Sequence, residues 1–335
     1  MAPMHPDQAL LDDGPRANDI PVCDHYCGIE ARMRKSLQLQ AELGPVFDIT
    51  FDAEDGAPVG GELEHAQLMV ELLNSSANRF GRVGVRLPPA RHPAFDAVLA
   101  TVMRGAGAKL AYLMLPKVQH LAGLQDAARR IDQAADDAGV QRAIPLHALV
   151  ETHGALLDVN ALAAHPRIES LSFGVMDFVS AHHGAIPASA MSATGQFEHP
   201  LVLRAKLEIA AACHAHAKVP SHSVVTEFQD QAALQVAATR ACRQLGYTRM
   251  WSIHPAQVRV IVDAFAPSVA ETDLAVEILM AARAAHWAPI RHLGSLHDRA
   301  SYRYFWQVLQ RAHRTSYAGG GQLPVEVHQA FFGTV

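Results

Sequence analysis

Residues 146–177 read LHALVETHGALLDVNALAAHPRIESLSFGVMD. An apolar run, LHALV, stops on Glu151. Helix-like spacing follows over about 155–164, and a second apolar run, ESLSFGV, stops on Asp177. Strands of a parallel sheet are buried on both faces and read as continuous apolar runs, and ligands gather at their carboxyl ends. Two neighbouring strands that each deliver a carboxylate there make a site for a hard divalent cation. Oxygen ligands suit magnesium, which keeps its other positions for water or substrate. An acid just past a strand also reads as the N-cap of the next helix. The pair, 26 positions apart (177 − 151), favours the cation site over two separate caps.

The same alternation extends in both directions. Strand-like runs centre near positions 20, 47, 84, 112, 147, 171, 221 and 250, nearly all separated by a helix-forming segment. Eight such repeats are what an α/β protein of the (β/α)8 TIM-barrel type needs, and 335 residues accommodate a barrel of ~250 with additions. An open doubly wound sheet is the alternative, but no GxGxxG follows the first strand, expected at 20–23. The expected organisation is a disordered or loosely docked arm over 1–18, the barrel over 19–268, and a C-terminal helical extension or lid over 269–335. That extension has a last helix near 298–313 and a mobile tail from Ser316. The turn-rich stretch 184–200, GAIPASAMSATGQFEHP, is expected to be an active-site loop.

Apolar residues form 50% of the chain, enough for a large core, and the net charge of −5 argues against nucleic-acid or anionic-membrane partners. No uncharged apolar run reaches 18 residues, and the opening MAPMHPDQALLDDGPRAND lacks the apolar segment of a secretory signal. A cytoplasmic protein is expected. Its four cysteines, Cys23, Cys27, Cys213 and Cys242, read as reduced thiols. Cys23 and Cys27 flank His25, but no second half-site with zinc-ligand spacing follows.

A barrel places chemistry at the carboxyl ends of its strands, and Glu54, Asp55, Arg86, Lys117, Glu151 and Asp177 all fall there. The turn DAEDG clusters Asp52, Glu54 and Asp55, which suits either the surroundings of a hydrated metal or an exposed acidic turn. Arg86 beyond a buried strand needs a partner, either a substrate carboxylate or one of those acids. Lys117 reads equally as a carboxylate binder and as a rim salt bridge, and it is a weak candidate for a Schiff-base lysine. Metal-assisted chemistry on a 2-oxo or hydroxy acid is therefore expected.

The segments FDAEDGAP, VRLP, LMLPKV, LVETHGALLDV, LSFGVMDF and WSIHPAQV, in this order, resemble the HpcH/HpaI aldolase and citrate lyase family. The similarity covers roughly 46–267 and looks closest to the citrate lyase β-subunit-like and malyl-CoA lyase-like branch. The resemblance implies a magnesium-dependent (β/α)8 enzyme that assembles as a homotrimer or hexamer. It implies Glu151 and Asp177 as metal ligands, Arg86 on the oxo-acid portion, and Glu54 and Asp55 beside the metal waters. In malyl-CoA lyases an aspartate from a C-terminal lid enters a neighbouring subunit's site and handles the enol proton; Asp298 stands at the matching place, and also reads as a helix N-cap.

Two acids common in the family are replaced by Met176 and Ala181. The VPGxRP-like turn that helps bind coenzyme A is replaced by VCDHYCGIEARMRK, where Arg32, Arg34 and Lys35 remain to meet phosphates or serve as solvated helix charges. The expected activity is cleavage or formation of a 3-hydroxyacyl-CoA, giving an acyl-CoA and a small 2-oxo acid. An aldolase acting on free hydroxy-oxo acids and a catalytically silent barrel acting as a binding subunit are the alternatives.

Overall fold

In the computed structural model, which describes residues 4–10, 19–57, 59–318 and 323–333, a short helix α1 (Pro6–Ala9) precedes eight barrel strands. They are β1 (Cys23–Cys27), β2 (Phe47–Asp52), β3 (Val83–Arg86), β4 (Leu113–Leu115), β5 (Leu146–Val150), β6 (Ile168–Phe173), β7 (Val219–His222) and β8 (Arg249–Ser252). All pair in parallel and in chain order, and β1 closes on β8. The helices between and after them are α2 (Glu30–Leu43), α3 (Glu62–Asn74), α4 (Phe95–Ala106), α5 (Leu121–Asp137), α6 (His153–Leu157), α7 (Val159–Ala164), α8 (Val175–Ser180), α9 (Pro200–Ala215), α10 (Gln231–Gln244) and α11 (Pro255–Phe265). The expected barrel is thus present. No described helix is long and apolar enough to cross a membrane.

The barrel interior is more polar than the apolar runs suggest. Arg249 is fully buried, its Nη1 2.7 Å from Asp48 Oδ2 and its Nη2 3.1 Å from Asp24 Oδ2. Asp24 Oδ1 in turn accepts hydrogen bonds from Thr50 Oγ1 (2.7 Å) and Tyr112 OH (3.0 Å). The β8–β2 and β4–β1 contacts join strands that are not neighbours and so cross the interior. Gly84 makes room for the Tyr112 ring, which would lie 2.4 Å from a Cβ at that position. Removing one partner of such a buried charge network strands the others without water. Arg249→Ala, leaving Asp24 and Asp48 without their shared cation, should cost about 3–5 kcal/mol in urea unfolding. A loss below about 1 kcal/mol would mean that the interior screens these charges as a surface does.

Toward the carboxyl ends the interior turns apolar. Tyr26, Met114, Leu149, Val224 and Trp251 form one buried cluster, with Tyr26 and Trp251 stacked at 4.5 Å. This cluster floors the mouth of the barrel.

The described residues divide into two compact units, one within Ala17–Phe265 and one joining the N-terminal segment to residues from Ala266 on. The second contains α12 (Val269–Ala284), the hairpin β9 (Ile290–His292) and β10 (Ser295–His297), α13 (Arg299–Arg314) and α14 (Val325–Phe331). Its core gathers Ile278, Leu279, Tyr302, Trp306, Leu309 and Phe331.

Three expectations need correction. The first strand is Cys23–Cys27 rather than 20–23, because Arg249 on β8 and the Thr50 hydroxyl on β2 accommodate Asp24 where an apolar residue was expected. Residues 4–10 of the arm are docked: Leu10 lies in the second unit's core and Asp7 Oδ1 accepts from Trp306 Nε1 at 2.8 Å. Residues 11–18 lie outside the described residues. The expected mobile tail contains α14, packed through Val327 and Phe331, while 319–322 lie outside the described residues. The stretch 184–200 forms two short 3-10 turns, Ala188–Met191 and Gly195–Phe197, and is anchored by the buried Gln196.

Candidate active site

The carboxyl end of β2 runs straight into the DAEDG turn, and Asp52 organises it. Its Oδ1 accepts from the Glu54 backbone N–H (2.9 Å) and its Oδ2 from that of Gly56 (2.8 Å). Arg86, at the end of β3, lies beside it in register and donates from Nε to Oδ1 (2.7 Å) and from Nη2 to Oδ2 (2.5 Å). One buried carboxylate thus shapes the acidic turn and fixes the arginine in a two-pronged pair. Arg86 also lies 5.3 Å from the Tyr26 ring centre, against the apolar floor. Burial works against its charge, but Asp52 overcompensates and holds the guanidinium firmly protonated.

Of the five N–H donors of Arg86, the Asp52 pair engages two, leaving the Nη1/Nη2 edge to face another group. Glu54 Oε2 lies 3.1 Å from Nη1, yet this buried oxygen accepts no hydrogen bond. Its other oxygen is 2.5 Å from Lys117 Nζ. Burial raises the Glu54 pKa, with Arg86 and Lys117 opposing the rise.

Lys117 lies just after β4 in a left-handed conformation (φ 51°). Its ammonium meets Glu54, Asp55 (3.2 Å) and, at 3.9 Å, Asp177. Its backbone N–H donates to Glu151 Oε1 at 2.5 Å. Of the two readings of Lys117, the rim salt bridge is the one observed, though its backbone also reaches the centre of the site.

Glu151 follows β5, and Thr152, not Glu151, caps α6 by accepting from Ala155. Glu151 is 3% exposed and, among the described residues, has no ion-pair partner. Burial first, and Asp177 second, push its pKa to about 8. Asp177, in the first turn of α8, is partly exposed. The site therefore holds the carboxyls of Asp52, Glu54, Asp55, Glu151 and Asp177 against the cations of Arg86 and Lys117. That imbalance, over an apolar floor, is what a divalent cation relieves. Among the described residues no group of three or more His, Cys, Asp and Glu is arranged to hold a metal by itself.

The family profile for HpcH/HpaI aldolase/citrate lyase matches residues 48–255, more than half the chain and nearly all of the barrel. The chain belongs to this family. A crystal structure of a citrate lyase from Burkholderia xenovorans LB400 is 51% identical, covers 98% of this chain and 100% of its own, and superposes with a TM-score of 0.83. The L-malyl-CoA/beta-methylmalyl-CoA lyase of Cereibacter sphaeroides is 24% identical over 284 residues, 80% of this chain and 88% of its own length. The CitE protein of Mycobacterium tuberculosis, solved with magnesium, acetoacetate and coenzyme A, shares the fold at 19% identity and a TM-score of 0.65, covering 88% of this chain and 98% of its own.

Within this HpcH/HpaI-family barrel, Glu54, Asp55, Arg86, Lys117, Glu151 and Asp177 come together as the motifs anticipate. Arg32, Arg34 and Lys35 are exposed on α2, and Arg34 is tied to Glu30 (2.8 Å) and Glu71 (2.9 Å). Asp298, in the second unit, is the N-cap of α13 and accepts from the N–H groups of Ala300 and Ser301. Met176 is partly exposed, so no acid precedes Asp177 on α8.

Sequence reasoning underrated Asp52, because an acid closing a strand gives no sign that four donors converge on it. It also missed Lys206, the chain's fully buried lysine on α9, whose Nζ lies 2.7 Å from Gln196 Oε1 and 2.7 Å from His222 Nε2. His222 alternates with the inward-facing Ser221, so Lys206 lies behind the barrel wall and offers no Schiff base at its mouth.

Proposed function

We propose that this protein is a magnesium-dependent carbon–carbon lyase that cleaves, or in reverse forms, a 3-hydroxyacyl-CoA, with an acyl-CoA and a small 2-oxo acid as the other partners. The observation that carries the reading is the buried, unpaired carboxyl of Glu151 facing Asp177 at the carboxyl end of the barrel. Glu151 and Asp177 are the residues that would hold the metal, and Glu54 Oε2, which accepts no hydrogen bond, would suit an acceptor beside it. When bound, magnesium supplies a Lewis acid that polarises the oxo-acid carbonyl.

The chain's own groups do the rest. The Nη1/Nη2 edge of Arg86, which Glu54 Oε2 faces at 3.1 Å from Nη1, receives the carboxylate of the oxo acid, oriented by the fixed Asp52 pair. Glu54, whose raised pKa suits a proton carrier, takes the substrate hydroxyl proton on Oε2 as the C–C bond breaks. Asp298 of a neighbouring copy in a trimer or hexamer is assigned to return a proton to the thioester enolate, which requires it to leave its cap. Free thiols at all four cysteines suit a cytoplasmic setting.

Gly174→Ala tests the metal site without touching a ligand. A Cβ there would lie 2.3 Å from Glu151 Oε2, so the carboxylate must move. The variant should bind magnesium about tenfold more weakly or worse. Unchanged affinity in calorimetry would remove Glu151 from the ligand set.

A second reading, an aldolase on free hydroxy-oxo acids, is favoured by the ties of Arg34 to Glu30 and Glu71, which occupy a residue expected to meet phosphates. Turnover of malyl-CoA, methylmalyl-CoA, citryl-CoA and free hydroxy-oxo acids, with and without magnesium, separates the two. Metal-dependent release of an oxo acid from a thioester is the expected result. Turnover of free acids alone would establish the aldolase.

A further inference from the structure

On α9, Lys206 is fully buried and has no carboxylate beside it among the described residues. Its Nζ donates to Gln196 Oε1 (2.7 Å), lies 2.7 Å from His222 Nε2, and stands 4.1 Å from the centre of the Phe197 ring. Three titratable or charged groups face this cluster. They are His222 at the end of β7, Arg240 of α10, 4.5 Å from the same ring, and Tyr247, which meets His222 edge-on and donates to the Lys206 carbonyl (3.0 Å). None of them is a carboxylate. A buried ammonium without a counter-ion gives up its proton. Burial first, and Arg240 second, push the Lys206 pKa well down.

The hydrogen bonds agree with a neutral amine. His222 Nδ1 lies 3.0 Å from the Ser223 carbonyl, which can only accept, so Nδ1 carries the ring proton and Nε2 offers its lone pair. An amine then gives one hydrogen to Gln196 Oε1 and the other to Nε2. One added proton leaves a charge with no partner. A second, on His222 Nε2, would set two N–H donors face to face.

Gln196 carries this cluster to the mouth of the barrel. Its Oε1 also accepts from Ser223 Oγ (2.7 Å), and its Nε2 donates to the Val224 carbonyl (3.2 Å). Gln196 belongs to the segment between α8, which bears Asp177, and α9, while Val224 belongs to the apolar floor. The same segment is tied once more to the chain after β7, where the Ala193 N–H donates to Glu227 Oε1 (2.9 Å).

We propose that Lys206 is an uncharged positioning amine that holds residues 188–199 and Val224 in place through Gln196, and that charging it releases them. Acid thereby loosens one wall of the mouth from behind, whichever substrate the site takes.

Urea unfolding of the metal-free full chain at pH 8 and pH 9 tests the uncharged state. Below the ordinary lysine value of 10.5 the unfolded chain takes up a proton that folded Lys206 refuses, so stability should fall as pH falls. Relative to Lys206→Met, the wild-type folding constant should therefore rise about tenfold from pH 8 to pH 9. Glu151 is common to both chains and cancels. Gln196→Glu supplies the missing carboxylate and restores the ammonium, so the wild type should show the same rise against it. A ratio that stays constant against both variants would mean that Lys206 is charged in the fold and would overturn the proposal. Amide exchange over 188–199 tests the release. Compared with Lys206→Met at the same pH, these amides should be at least as protected in the wild type at pH 8 and about tenfold less protected at pH 5. Equal relative protection at the two pH values would overturn the release.

Discussion

At pH 7 each magnesium ion bound should displace about 0.9 proton, the occupancy of a carboxyl with a pKa near 8. Glu151 owes that value to burial and to Asp177, and a metal ligand must be deprotonated, so the metal and the proton compete for one group. Below pH 8 the magnesium affinity should therefore rise close to tenfold per unit as pH increases, and level off above it. Calorimetry in two buffers of different ionisation heat reads the proton count directly. Glu151→Gln should abolish the release and weaken binding at least about tenfold. Tight binding without proton release would mean that Glu151 is not a ligand or is already ionised.

The same shift fixes the sign of a stability effect. Between its ordinary value of 4.5 and about 8, Glu151 holds a proton in the folded chain that it has lost in the unfolded one. Metal-free protein should therefore be most stable below this window and lose on the order of a few kcal/mol as pH rises through it. Saturating magnesium should cancel the trend, because it binds only the folded state and its affinity rises by the same proton-linked increment per pH unit. Melting curves at pH 5 and pH 8, with chelator and with magnesium, give all four corners of the cycle.

The parts of this molecule that sequence makes legible are those built from local pattern. Strands buried on both faces read as apolar runs, so LHALV and ESLSFGV locate β5 and β6, and the acids closing them point to the mouth. What stays hidden depends on partners far along the chain. Asp24 looks out of place in a strand until Arg249, from the last barrel strand in the sequence, is seen beside it. The Pro- and Asp-rich start looks unstructured until Trp306 donates to Asp7 across 299 positions. Glu151 has the same residue type as any exposed glutamate; only its burial, with Asp177 nearby, gives it an unusual proton affinity, which the Lys117 backbone N–H opposes.

Asp52→Asn should be the most damaging single change in the acidic turn, more so than loss of Glu54 or Asp55. Asp52 is 2% exposed and accepts from Arg86 twice and from the backbone of Glu54 and Gly56. An amide in its place keeps one acceptor oxygen, turns a donor toward groups that are themselves donors, and leaves the buried Arg86 without its principal countercharge. Breaking a buried pair in this way costs about 3–5 kcal/mol, and urea unfolding should show it. Because Arg86 then loses its fixed edge and the turn its shape, kcat/KM should fall about 100-fold or more. Glu54→Gln is the discriminating comparison. It keeps the Asp52–Arg86 clamp and the turn, so it should spare stability and oxo-acid binding while lowering kcat through loss of the proton carrier. If Asp52→Asn instead kept wild-type turnover with only its stability reduced, Arg86 would have no positioning role. The oxo-acid carboxylate would then have to be held by another group, and Lys117, whose ammonium already meets three carboxylates of the site, is the other cation among the described residues placed to do so.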